Sequence, residues 1–132
     1  MTTVRIDLPW LAPVLSLNKR MHWSVRSRLT AGRRQDAGWC AKAAKLQPVR
    51  GSVMVVTMHW RPNVRRRRDS VNLQGDLKAA VDGLIDAGAA PDDSTEYVST
   101  PEPVVHDPVK GRPGAMWLEL EWKARQRYTT GE

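Results

Sequence analysis

The chain has 132 residues, carries 21 Lys and Arg against 14 Asp and Glu for a formal net charge of +7, and is 41% hydrophobic and 27% charged. That length suits one domain with one core, and the composition excludes the disordered and collagen-like classes. No apolar run approaches the ~20 residues of a membrane-spanning helix, Arg5 and Asp7 interrupt any secretory h-region, and the lone Cys40 excludes an internal disulfide and a thiolate zinc site, so a reducing cytoplasm is expected.

Thr3–Leu8 alternates Val4, Ile6 and Leu8 against Thr3, Arg5 and Asp7, the period of a half-buried strand. Pro9, Pro13 and Asn18 mark an irregular connection over residues 9–23. Residues 27–45 read as a helix in which Leu29, Ala37, Cys40, Ala41 and Ala44 share one face, with Gly32 and Gly38 each costing about 1 kcal/mol relative to Ala. Residues 52–60, rich in Val and Met, read as a buried strand ended by Pro62. Residues 73–88 carry the strongest helical pattern, with Leu73, Leu77, Ala80, Val81, Leu84 and Ile85 in register, Asn72 as N-cap and Gly88 as stop. A turn-rich loop over 89–94 precedes a strand at 96–105 that Pro101 and Pro103 break and confine to a sheet edge. Residues 111–114 read as a hairpin loop. Residues 116–122 form a last strand with Met116, Leu118, Leu120 and Trp122 on one face and Trp117, Glu119 and Glu121 on the other. The expectation is an α+β single domain over 1–124, a mixed β-sheet with helices packed on it in the order β-α-β-α-β-β, followed by a polar tail at 125–132.

The net charge hides an asymmetry. Residues 1–68 hold 15 basic and two acidic side chains, a net of +13, whereas residues 69–132 hold six basic and 12 acidic ones, a net of −6. A basic half points to a polyanion, most often nucleic acid. The sign flips between Arg68 and Asp69, where four consecutive arginines, Arg65, Arg66, Arg67 and Arg68, abut a carboxylate just ahead of the helix. Asp92 and Asp93 follow that helix. Clustered carboxylates need a cation or raised pKa values, and carboxylates beside an arginine run are what metal-assisted phosphodiester hydrolysis requires.

The run Arg65-Arg66-Arg67-Arg68-Asp69, then Asn72-Leu73, then Lys78-Ala79-Ala80-Val81-Asp82-Gly83-Leu84, then Asp92-Asp93, resembles the core signature of RusA-like Holliday junction resolvases. Leu8-Pro9-Trp10 and Ser16-Leu17-Asn18 fit that family's opening segment. The resemblance runs from about residue 3 to 122. It implies a homodimeric, Mg²⁺-dependent endonuclease, with Mn²⁺ as a substitute, that nicks four-way or branched DNA in recombination and repair, in a bacterial or phage-host cytoplasm. By the same resemblance Asp69 and Asp93 hold the metal with Asp92 beside them, and Lys78 steadies charge on the scissile phosphate. Arg65, Arg66, Arg67, Arg68, Asn18, Lys19, Arg20 and Asn72 contact DNA.

The family pattern has a second Asp two residues after Asp69, where this chain has Val71. In an extended segment the two positions point the same way, so one carboxylate is lost. Mg²⁺ often binds through one or two carboxylates plus water and phosphate, which keeps Asp69 and Asp93 sufficient, with Asp92 or Asp76 as substitutes. The alternative is a weak or inactive junction binder of the same fold. A generic basic DNA-binding module is disfavoured, because no helix-turn-helix or zinc pattern is visible.

Read without the family, Lys78 and Asp82 form an i,i+4 surface pair, Asp92-Asp93 a turn, Asp82 and Asp86 solvated helix residues, and His59 a satisfied core histidine. His22, beside Lys19, Arg20 and Trp23, is a candidate DNA contact, and Trp23 a candidate for base stacking. Trp10, Trp60, Trp117 and Trp122 serve as core anchors in a chain without Phe.

Overall fold

Alternation at the start of the chain produces strand β1 (Thr3–Leu8), whose Ile6 and Leu8 are buried while Thr3, Arg5 and Asp7 are exposed. The computed structural model describes residues 3–16, 20–64 and 72–125. Helix α1 (Trp23–Ala43) starts four residues ahead of the sequence expectation, because the His22 ring accepts a hydrogen bond from Ser24 N at 3.2 Å and caps the first turn. Strand β2 (Ser52–Arg61) follows. Helix α2 (Gln74–Asp86) then opens on an N-cap, Leu73, that has no side-chain bond of its own. Asn72 does the capping one residue earlier, its Oδ1 accepting from Gln74 N at 2.8 Å. Gly88, at φ +86°, takes the left-handed conformation that stops the helix.

Two-residue strands β3 (Val98–Ser99) and β4 (Val104–Val105) precede β5 (Ala115–Ala124). β5 pairs antiparallel with β1 on one side, from Thr3 opposite Glu121 to Leu8 opposite Met116, and with all of β2 on the other. β3 and β4 both run parallel to β2 along its far edge, opposite Met54 and His59 respectively. They are the expected proline-broken edge strand: Pro101 and Pro103 sit between them and have no N–H to donate to a ladder. The result is a single α+β domain with a mixed five-stranded sheet and two helices.

The expected hairpin at 111–114 is not one. β4 and β5 lie on opposite sides of β2, so residues 106–114 carry the chain across β2 to its other edge. Gly111, at φ +80°, does mark a turn, but turn chemistry specifies a bend and not which strands it joins.

Both helices cover one face of the sheet. Leu77, Ala80, Val81 and Leu84 of α2 and Ala37 and Ala41 of α1 form one buried cluster with Met54, Val56, Met58, Leu118 and Leu120. The helices meet backbone to backbone where Gly38 and Gly83 cross. A Cβ at Gly83 would collide with the Arg34 carbonyl and lie 2.8 Å from Gly38 N, so Gly83 is what lets the helices approach, and a Cβ at Gly38 would itself lie a tight 3.3 Å from the Gly83 carbonyl oxygen. No helix among the described residues is long and apolar enough to cross a membrane.

Candidate active site

Of the residues expected to do chemistry, Arg65, Arg66, Arg67, Arg68, Asp69 and Val71 lie outside the described residues, as do Asn18 and Lys19. Arg20, Asn72, Lys78, Asp92 and Asp93 are described.

Lys78 and Asp93 come together. α2 presents Lys78 on its exposed side, and the turn after the helix brings Asp93 back so that its Oδ2 lies 3.4 Å from Lys78 Nζ. Asp82, one helical turn beyond Lys78, approaches the same ammonium at 3.4 Å. The i,i+4 pair read from the sequence therefore exists, and Asp93 joins it. The charge of Asp82, followed by a hydrogen bond from Lys78 to Asp93, pushes the Lys78 pKa up, so the ammonium keeps its proton. Lys78 and Asp93 line a cleft of about 340 Å³ shared with Thr95, Ser99 and Thr100. With Asp82 and Asp93 both on the Lys78 ammonium, the charges here are net negative, so a phosphate or another oxyanion is accepted only together with a cation that offsets a carboxylate, the hydroxyls then supplying donors.

Asp92 is held differently. Its Oδ1 accepts from Ser94 N at 2.8 Å, the Asx turn expected of such a pair. Hydrogen bonds from the Ser94 hydroxyl and Ser94 N hold its carboxyl below the usual range. Asn72 is committed to capping α2, and its own N–H donates to Ser16 Oγ at 3.3 Å. Arg20 is exposed. His22, a candidate DNA contact, is the cap of α1, while its neighbour Trp23 is 75% exposed.

Asp76 cannot stand in for a missing metal ligand. Its side chain has no solvent exposure, and its two oxygens accept from Val14 N and Leu15 N, each at 3.1 Å, with Arg33 Nε 3.8 Å away. Burial pushes its carboxyl pKa up against the pull of those N–H groups and Arg33. The carboxylate fastens the segment after β1 onto α2. The sequence signal was available: residue 76 falls on the apolar helix face between Leu73 and Leu77. Asp86 is not simply solvated either, since Arg34 of α1 bridges both its oxygens at 2.5 and 2.7 Å.

A second cluster, on the sheet face away from the helices, was missed as a unit. Trp117, directly opposite both Asp7 and His59 in the ladder, stacks on His59 at 5.2 Å, and the Arg5 guanidinium lies over the Trp117 ring at 4.3 Å. His59 Nδ1 and His106 Nε2 share a hydrogen bond at 2.8 Å. Glu119 Oε2 lies 3.4 Å from His59 Nε2 without hydrogen-bond alignment, which leaves that nitrogen buried and without a hydrogen-bond partner among the described residues. Burial is the largest influence on His59 and lowers its pKa; Glu119 opposes this and His106 adds to it. His59 is therefore a buried imidazole on the open face and not part of the core beneath the helices. Trp117, expected as a core anchor, is buried by its ring partners on the same open face.

Among the described residues no three His, Cys, Asp or Glu side chains gather closely enough to hold a metal ion. The donor chemistry present is that of hard oxygen ligands, since the Asp93 side chain is half exposed and pairs with Lys78 through one oxygen. Compared with models of known protein families and with curated proteins, the chain matches none.

Proposed function

We propose that this chain is a Mg²⁺-dependent, structure-selective DNA endonuclease of the RusA-like type that resolves four-way junctions as a homodimer in the cytoplasm. The observation that carries the reading is the Lys78–Asp93 pair in its cleft, 3.4 Å apart, formed by two residues that the signature singles out, one within α2 and one in the turn after it. Lys78 holds a phosphate oxygen and offsets the charge that grows on it as the P–O bond breaks. Asp93, with Asp69 from the segment ahead of α2, would hold the metal. When bound, Mg²⁺ or Mn²⁺ supplies a polarised water and neutralises phosphate charge. Thr95, Ser99 and Thr100 offer hydroxyls for orienting the strand, the four arginines with Lys19 and Arg20 offer cations along the DNA path, and Asn18 offers a neutral amide. Two-fold cutting of a two-fold junction calls for two copies of the site, hence a dimer.

A second reading rests on Val71. With a hydrophobe where the family pattern has a carboxylate, the chain would bind junctions and cut them weakly or not at all. Incubation of the protein with a synthetic four-way junction separates the two readings. Paired nicks with Mg²⁺ that disappear in EDTA support the endonuclease. Tight junction binding without nicks, even in Mn²⁺, supports the binder, and equal affinity for junction and linear duplex defeats both. Val71→Asp should raise the nicking rate at limiting Mg²⁺.

A further inference from the structure

The segment over residues 91–97 separates two openings. Asp93 and Thr95 line the Lys78 cleft, whereas Pro91 and Tyr97 line a second cavity of about 270 Å³ at the start of β2 and the end of β5. Tyr97 and Trp122 give this cavity two aromatic side chains, and Met54 and Ala90 contribute apolar surface. Arg125 lies over the Tyr97 ring at 4.9 Å, and the exposed Arg50 also lines the opening. The Trp122 indole N–H is buried and has no hydrogen-bond partner among the described residues.

These properties select among occupants. An aliphatic group would fill the apolar part and leave the exposed Arg50 guanidinium unused, whereas Arg125 is already engaged, its Nε donating to the Glu96 carbonyl at 3.1 Å and its Nη1 lying 3.5 Å from Glu96 Oε1. A nucleobase has a π face for Tyr97 and Trp122 and an attached phosphate for Arg50. At roughly 30 Å³ per water, the cavity corresponds to about nine waters, room for one heterocycle of about ten heavy atoms.

We propose that this cavity receives one unpaired nucleobase from the strand whose phosphate is held at Lys78. The inference rests on the DNA-endonuclease reading and adds to it a base-binding subsite across the 91–97 wall from the cleavage cleft. Opened bases are available at a junction crossover, and a held base would fix which phosphate lies at Lys78.

The test uses four-way junctions carrying 2-aminopurine at successive positions around the crossover, with dAMP as a separate small probe. Binding of the wild-type protein should change 2-aminopurine emission at least about threefold at one position and leave the others near their free values. Tyr97→Leu removes one aromatic wall, and Val49→Trp fills the cavity from a residue that is 48% exposed. With far-UV spectra like wild type, both should abolish the emission change and weaken dAMP binding about five- to hundredfold. Junction binding with unchanged emission at every position, or variants that match wild type, would overturn the base site while leaving the endonuclease reading intact. Saturable dAMP binding lost in both variants, without junction binding, would keep a nucleobase site and remove the endonuclease reading. Failure to bind either probe removes both.

Discussion

Asp76 makes the strongest demand on the fold, so Asp76→Ala is the most informative single change. The carboxylate accepts from two backbone N–H groups at 3.1 Å and has no solvent exposure. Removing it strands both donors in a region that water does not reach, at about 1–3 kcal/mol each. It also leaves Arg33, whose side chain is 12% exposed, without its nearest counter-charge. The burial penalty that raises the Asp76 pKa is recovered on removal, which keeps the total near about 4 kcal/mol. A domain of this size is stable by about 5–15 kcal/mol, so the loss is a large fraction, equivalent to roughly 15 °C in Tm. Asp76→Asn keeps one acceptor but turns an amide N–H₂ toward the second donor, and should cost about 2 kcal/mol. Urea unfolding followed by far-UV circular dichroism measures both variants. An Asp76→Ala protein within 1 kcal/mol of wild type would mean that Val14 and Leu15 find other acceptors, and that the carboxylate is not what fastens this segment to α2.

Gly83→Ala should cost at least about 1–3 kcal/mol by forcing α2 off α1; a variant as stable as wild type in the same urea titration would show that the helices do not touch there. Lys78→Met should lower junction cleavage by about a hundredfold or more with Tm changed by only a few degrees, because exposed ion pairs contribute about 0.2–1 kcal/mol; cleavage at the wild-type rate would remove Lys78 from the site. His59 is held below its ordinary pKa, so below about pH 6.5 the unfolded chain takes up a proton that the folded chain refuses. Stability should therefore fall as pH drops through this range, and the fall should be shallower in His59→Gln; identical Tm-versus-pH curves would contradict the assignment.

The secondary structure was largely legible because its signals are local. Alternation over Thr3–Leu8 and the helical register of Leu73, Leu77, Ala80 and Leu84 depend on near neighbours alone. What escaped depends on partners far along the chain. Trp117 sits on the polar side of its strand and would be exposed there, but Arg5, His59 and His106, brought in by three other segments, bury it. The continuous apolar run at 53–56 concealed that only its Met54 and Val56 lie beneath the helices, because every side chain within that run reads as apolar whichever face it takes. Within the proposed site, the family resemblance grouped Lys78 with Asp93, and the two side chains lie 3.4 Å apart. It could not assign Asp76, since a carboxylate on an apolar helix face reads equally as a ligand, an error or a clamp until its acceptor geometry is known. Gly38 was read as a defect of α1 because the cost of a glycine is local, whereas its benefit lies with Gly83, 45 positions later.

The position of β5 between β1 and β2 has a consequence for how the chain folds. Among the described residues β1 pairs with β5 alone, and these two strands are separated by nearly the full length of the chain. Joining them closes a very large loop, which places the domain among slow folders of high contact order. During synthesis the first strand must wait, with Ile6 and Leu8 uncovered, until residues 115–124 have left the ribosome. β2, α1 and α2 can associate earlier, and β5 then seals the sheet by pairing with β2 and with the waiting β1.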